Sequence, residues 1–399
     1  MTDKNQPKNI LVSEAEEGKP PSPLKSQPNS SLISQGALVR MGLGLGVPLL
    51  SVVVAFVAVG LVLAITGKDP LLVYGEMYRS AFGDENALAD TLVKAIPLIL
   101  TGLAVAIAFS ARLWNIGAEG QFYAGVIAAT GTALAFDSVL GWFVLPAMFV
   151  AGIIGGALWA LIPGILRAYL NVNEIISTLM LNYVIVLFAD YLIYGPWRDP
   201  KGFNFPLTRT FGDNATLATF GDSRVHLGLV FGIVAAVIVG LILSRTAWGF
   251  ELKVMGDSPT AARYAGINIT RNILLVMAFS GGLAGLAGMS EVSGVVHKLQ
   301  QGISPGYGFT AIIVAWLARL NPWGIVLVAV LFGGLINSGY AMKGIGIASG
   351  FVTLIQGAVL FFVLAGEALL RKLYYKQDLK RVLATAVIGR VPAREEAAR

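Results

Sequence analysis

Runs of about twenty apolar residues recur along this 399-residue chain, at 41–66, 91–110, 117–136, 142–164, 175–195, 226–244, 272–294, 306–319, 322–340 and 347–369. A helix needs about 20 such residues to cross the ~30 Å hydrocarbon core of a bilayer, and only a structure that satisfies its own backbone can do so. The repetition points to one fold class: an all-α, polytopic membrane protein with about ten transmembrane helices. Composition agrees, with 56% hydrophobic and 13% charged residues, where soluble domains carry about 25% charged. The eighth run is short and interrupted by glycine, the pattern of a tilted or broken span.

Residues 1–36 are rich in Pro, Ser, Lys and Glu and hold no apolar run. They read as a disordered tail and not as a signal peptide. The chain therefore divides into a tail over 1–36, a membrane domain over 37–370 and a basic tail over 371–399. Arg112, Arg167, Arg245, Lys253, Arg263, Arg271, Arg319 and the basic end from Arg371 fall on one side of the spans. Lys68, Lys94, Lys343 and the 196–224 loop fall on the other. The positive-inside rule puts the first set, with both termini, in the cytoplasm. The segments 67–90 and 196–224 then become outer loops. Apolar residues at helical spacing in 67–90 predict a helix lying on the outer bilayer surface. The sequences "ARLWN" (111–115) and "ARLN" (318–321) echo each other at two inner loops, with chance plus the arginine bias as the competing explanation.

Much chemistry is excluded. There are no cysteines, and the two histidines, His226 and His297, are far apart in sequence. No phosphate-binding loop, zinc-protease motif or nucleophile elbow occurs. No catalytic residue, cofactor or metal site is expected. The net charge of +6 follows membrane topology and does not indicate nucleic acid.

Ionisable residues within spans are functional candidates because they are expensive there. Glu119, Asp190 and Glu291 qualify, but they sit near span ends, which weighs against ion coupling. In "NIGAEGQFYAG" (115–125), Asn115 suits a helix cap and Glu119 a first-turn carboxylate favoured by the helix dipole, with Gln121 following. One reading is a tightly packed helix start with Glu119 paired to Arg112. The other is a wall of the transport path. In "NVNEIISTLMLNYV" (171–184), Asn173 suits a cap and Glu174 the first turn, while Asn182 and Tyr183 lie deeper. A buried Asn either ties helices together or meets solute. "GISPGYGFTAI" (302–312) is irregular, and irregular backbone at membrane depth is tolerated only inside protein or along a watery cavity. Gly306, Tyr307, Gly308 and Phe309 are therefore path candidates alongside Asn182 and Tyr183. "GGLAGLAG" (281–288) predicts close helix packing. Amides, hydroxyls and aromatic rings suit a neutral, hydrogen-bonding solute.

The polar stretch "GDSPTAARYAG" (256–266) interrupts this oily chain. Ser258 is a natural N-cap, Pro259 suits the first helical position and Gly266 the left-handed residue after the end. Two turns of helix are too short to be stable alone, so the segment is expected to lean on something else.

Together "NIGAEGQ", "NEIISTLMLNYV", "GDSPTAARYAGIN" and "GISPGYGFTAI" make residues 40–370 resemble permease subunits of bacterial ATP-binding-cassette importers. Within the ribose and branched-chain amino acid branch, they are most similar to the nucleoside and simple-sugar group. The resemblance implies a bacterial cytoplasmic (inner) membrane location, a separate ATPase subunit, a second permease, an extracytoplasmic substrate-binding protein and a short cytoplasmic helix that docks on the ATPase. Importers mark that helix with Glu-Ala-Ala, three residues, then Gly. Here Thr260 replaces the Glu, Ala261, Ala262 and Gly266 keep the spacing, and Arg263 offers a charge. The two alanines are expected to face the partner. The competing reading, an ion-coupled secondary transporter, leaves 256–266 unexplained.

Overall fold

The computed structural model describes residues 30–388 other than 345 and 349, with side chains described at 46, 49–137, 139–339, 341–344, 346–348, 350–366, 368, 369 and 372. Most of the expected amino-terminal tail and its carboxy-terminal counterpart from 389 lie outside these residues. The helices are α1 (Ser30–Ile65), α2 (Pro70–Phe82), α3 (Glu85–Ser110), α4 (Ala118–Leu140), α5 (Val144–Leu170), α6 (Glu174–Tyr194), α7 (Gly228–Arg245), α8 (Ala247–Asp257), α9 (Pro259–Tyr264), α10 (Ile269–Glu291), α11 (Tyr307–Leu317), α12 (Pro322–Gly344) and α13 (Gly350–Ile388). Among the described residues the only β pairing is two isolated bridges. The chain forms two compact units, Met1–Gly46 and Val47–Arg399. Everything below concerns the second.

Each apolar run of the sequence is helical. Among the described residues six helical stretches are long and apolar enough to cross a membrane: Glu85–Ser110, Gly141–Leu170, Glu174–Tyr194, Gly228–Arg245, Ile269–Val296 and Pro322–Gly344. Shorter apolar helices cover Leu49–Ile65, Tyr307–Leu317 and Gly350–Gly366. A helix apolar on every side must be buried or meet lipid, and both outcomes occur. The apolar stretch of α3 is 89% buried, whereas those of α5 and α6 are only 28% buried. Leu158, Leu187 and Phe188 stand exposed on that outer surface.

Glycines bring α4, α5 and α10 together backbone to backbone. A Cβ at Gly125 or Gly152 would run into Gly285 or Met289, one at Gly156 into Gly281, and one at Gly288 into Phe122. The small-residue run 281–288 is this seam, and larger side chains would hold the three helices apart.

Both "ARL" segments close helices in the same way. After α3, Arg112 adopts φ 52°, its N–H donates to the Phe109 carbonyl and Leu113 N–H to that of Ala108. After α11, Arg319 adopts φ 53°, with Arg319 N–H on Trp316 and Leu320 N–H on Ala315. These are Schellman closures. An asparagine follows in each case. Asn321 Oδ1 accepts from Trp323 N–H at 3.0 Å at the start of α12, whereas Asn115, expected as the cap of α4, accepts from Gly117 N–H at 3.0 Å in the turn before it, and Gly117 is the N-cap, without a side-chain cap bond. The two turns lie side by side, with Trp114 and Trp316 stacked at 6.0 Å.

Helix α2 is packed more firmly than a helix resting on a bilayer surface. Val73, Met77 and Ala81 are buried, Tyr74 donates to the Phe56 carbonyl, and Asn337 of α12 donates to Ser80 O at 2.9 Å. Its apolar stripe meets protein, while Leu71 and Tyr78 remain exposed.

Candidate functional site

Helix α10 does not run directly into α11. It ends in a π-helical turn, Val292–Val296, closed by His297 in the left-handed region. The following strand-like stretch is held by the 207–217 segment, through Thr208 N–H to Leu299 O at 2.9 Å and Phe211 N–H to His297 O at 2.8 Å. At Gly306, φ is 95°, a geometry that suits glycine, and α11 begins. Its 11 residues span about 16 Å, half of a hydrocarbon core. Its first N–H groups need partners in a buried setting. Ser304 Oγ accepts from Tyr307 N–H at 3.1 Å, and Glu119 Oε2 accepts from Gly308 N–H at 2.7 Å. Gly308 permits this because a Cβ there would collide with the Glu119 backbone.

The start of α4 is tied on every side. Asn115 Nδ2 donates to Gln121 Oε1 at 3.0 Å and to Ser280 Oγ of α10 at 2.9 Å. Gln121 Nε2 returns a bond to Asn115 Oδ1 at 2.9 Å. From α6, Asn182 accepts from Gly120 N–H at 2.8 Å and donates to Ile116 O at 2.9 Å. Both ends of its amide thus serve the α4 backbone. Glu174 pairs with Arg167 at 3.2 Å and accepts from Trp114 N–H at 3.4 Å.

A second polar cluster joins α3, α10 and α11. Lys94 Nζ lies 3.2 Å from Glu291 Oε1, and Tyr307 Oη donates to the same oxygen at 3.2 Å. Glu291 is 2% exposed and Tyr307 fully buried.

At the other end of α3 lie α8 and α9. Asp257, the last residue of α8, sits 3.5 Å from Arg112. Asn272 at the base of α10 accepts from Trp248 Nε1 and donates to Glu251, both at 2.9 Å. Ser258 Oγ caps α9 by accepting from Ala261 N–H at 3.2 Å, and Pro259 stands at its first position. Gly266, φ 78°, closes it: Gly266 N–H donates to Arg263 O and Ile267 N–H to Ala262 O.

Residues 87–364 match the family described as branched-chain amino acid transport system / permease component. The chain belongs to that permease family. The glucose ABC transporter permease protein TsgB13 of Haloferax volcanii is 36% identical, over 82% of this chain and 88% of its own. The nucleoside ABC transporter permease protein NupB of Lactococcus lactis subsp. cremoris is 33% identical, over 79% and 90%. The guanosine ABC transporter permease protein NupP of Bacillus subtilis is 34% identical, over 81% and 94%. The permease is the membrane component of an ABC transporter, is not itself catalytic and resides in the cytoplasmic membrane. An ATPase and a binding protein are general partners of such permeases.

The permease brings Asn115, Gln121, Glu119, Gly308 and Asn182 together around the start of α4, with Gly306 and Tyr307 adjoining. Tyr183 and Phe309 point elsewhere, 59% and 40% exposed on the outside of the chain. Two expectations need correction. Arg112 pairs with Asp257, and Glu119 meets a helix N-terminus. Ala262 does not face outward: it is fully buried in its own chain, because one face of a two-turn helix must pack to be stable. Pro259, Thr260, Ala261, Arg263 and Gly266 are exposed, and Tyr264 is 90% exposed. Sequence reasoning gave Lys94 to the outer side and missed its pairing with Glu291. It also missed Phe250 of α8, 66% exposed.

Proposed function

We propose that the permease passes a neutral, hydrogen-bonding solute, a nucleoside first and a simple sugar next, powered by a separate ATPase subunit docked at α8–α9. The observation that carries the docking reading is α9 itself. It is a capped, closed helix whose alanine face is occupied by its own chain and whose Tyr264 and Arg263 are free to meet a partner. In this reading α8–α9 and both termini are cytoplasmic, the chain crosses the membrane ten times, and the binding protein delivers solute at the opposite end. A second permease covers an exposed apolar face, and Tyr183 and Phe309 line the path shared with it. Asn182, Gly306, Tyr307 and Gly308 support that path from behind. The names of the nucleoside, guanosine and glucose relatives support the solute class, as do the amide-rich contacts. Family membership removes the ion-coupled alternative.

The test is Tyr264→Asp in the full complex. The permease should insert normally, because the substitution lies on an exposed side chain, while ATPase recovery on purification falls at least about tenfold, equivalent to ~1.4 kcal/mol. Wild-type ATPase recovery and wild-type uptake would overturn the docking reading. Uptake of radiolabelled guanosine and glucose decides between the two solutes.

A further inference from the structure

The end of the bundle away from α8–α9 holds a chamber of about 650 Å³ inside the single chain. Asp90 and Lys94 of α3, Arg224 of the 219–226 turn, Gly294 and His297 of the π-helical turn, and Asn337 of α12 line it. Lys94 lies about 24 Å along α3 from Ser110, at ~1.5 Å per residue. The volume falls within the ~300–1,000 Å³ of small-molecule sites. We propose that this chamber is a solute-holding subsite of one permease chain, taking a neutral, polyhydroxylated solute such as a nucleoside or sugar. The proposal rests on the permease reading above and adds a place of binding apart from the face carrying Tyr183 and Phe309.

The charges of the chamber come in pairs. Arg224 sits 3.3 Å from Asp90, both on the chamber wall, and Lys94, also on the wall, sits 3.2 Å from the buried Glu291. An ion would find its own sign beside its partner in either pair. A hydroxyl group suits both members of the Asp90–Arg224 pair at once, donating to the carboxylate while accepting from the cation.

Bonding capacity is also left over. Glu291 Oε2, His297 Nδ1 and His226 Nε2 are buried without a partner among the described residues. Of these three residues His297 lines the chamber, while Glu291 and His226 are buried behind its wall. The π-helical turn brings the last two features together. It follows directly on Glu291 and ends at His297, and single π turns in α-helices are frequent at functional sites. Gly294 in that turn lies against His226, where a Cβ would strike the imidazole. The turn thus seats one histidine while the next, His297, faces the chamber.

The chain has no cysteine, so Ser223→Cys on the chamber wall is a clean probe. In the full complex reconstituted in lipid nanodiscs, its labelling rate with a small methanethiosulfonate would be measured with guanosine, glucose or neither. A solute at ~10 times its dissociation constant should slow labelling about tenfold, because only empty sites react. Phe203→Cys, on the exposed part of the same loop, should be unaffected. A filled chamber, Thr219→Trp, should raise the KM for uptake about tenfold (~1.4 kcal/mol), while Thr219→Ser leaves it unchanged. Solute uptake without protection of Ser223→Cys overturns the chamber and leaves the permease reading standing. Failure of both uptake and protection, for both solutes, overturns both. If Thr219→Trp does not assemble, the labelling result alone decides.

Discussion

Helices α3 and α11 run into turns of the same construction, with a left-handed arginine, a Schellman closure and an asparagine ahead of the helix that follows. Their beginnings differ. Helix α3 starts at an exposed cap, where Asp84 Oδ1 accepts from Ala87 N–H at 2.7 Å, and then runs 26 residues. Helix α11 starts in the interior on the Glu119 carboxyl and runs 11 residues. Where water reaches a helix start, any short polar side chain will serve. Where it does not, another helix must deliver the acceptor, and the two backbones must come close enough for it to reach. The half-length helix thus depends on α4 in a way that the full-length one depends on nothing.

The second residue of each helix should separate the two most. Gly308→Leu drives a side chain into the α4 backbone and should cost more than ~3 kcal/mol or prevent assembly, whereas Asn86→Leu, exposed at the same position of α3, should stay within ~0.5 kcal/mol. Recovery of monodisperse protein and its thermal midpoint measure both. Next come the two asparagines that follow these turns. Asn115→Ala strands Gln121, Ser280 and Gly117 N–H in the interior and should cost about 3 kcal/mol, while Asn321→Ala, exposed, should cost about 1 kcal/mol. Equal losses would mean that the inner network is no better formed than a surface cap. Glu119→Ala should then cost about 2 kcal/mol, leaving Gly308 N–H buried and unsatisfied, against about 1 kcal/mol for Asp84→Ala. The smallest effect carries the opposite sign. Arg319→Gly relieves a left-handed backbone position occupied by a residue with a Cβ and should stabilise by up to about 1 kcal/mol, seen as a raised midpoint.

Features set by a few neighbouring residues were legible in the sequence. Ser258, Pro259 and Gly266 act where local chemistry puts them, as does Asn173, which accepts from Ile175 N–H at 2.9 Å. The echo of "ARLWN" and "ARLN" was visible as letters, but its meaning needed φ angles. Which face of α9 is buried depends on what packs against it, so Ala262 could not be assigned from spacing. The partner of Glu119 is 189 residues away in the chain, and that of Lys94 is 197 away. The charge bias along the sequence gave Lys94 a side of the membrane but not a partner.

The glycine seam has a kinematic consequence. With α4, α5 and α10 in backbone contact, a slide of even one residue, about 1.5 Å, would drive a side chain into an opposing main chain. The three helices therefore lack the freedom to shear past one another and turn or shift as one body. Helix α10 starts at Ile269, just beyond the Gly266 closure of α9, so a push on α9 is applied to the foot of that whole body. Helix α11 is tied into the same body at its start: Gly308 lies against the Glu119 backbone, its N–H meets the Glu119 carboxyl, and Tyr307 packs on Phe122 at 5.7 Å. A displacement of α4 would therefore be handed to the first turn of α11.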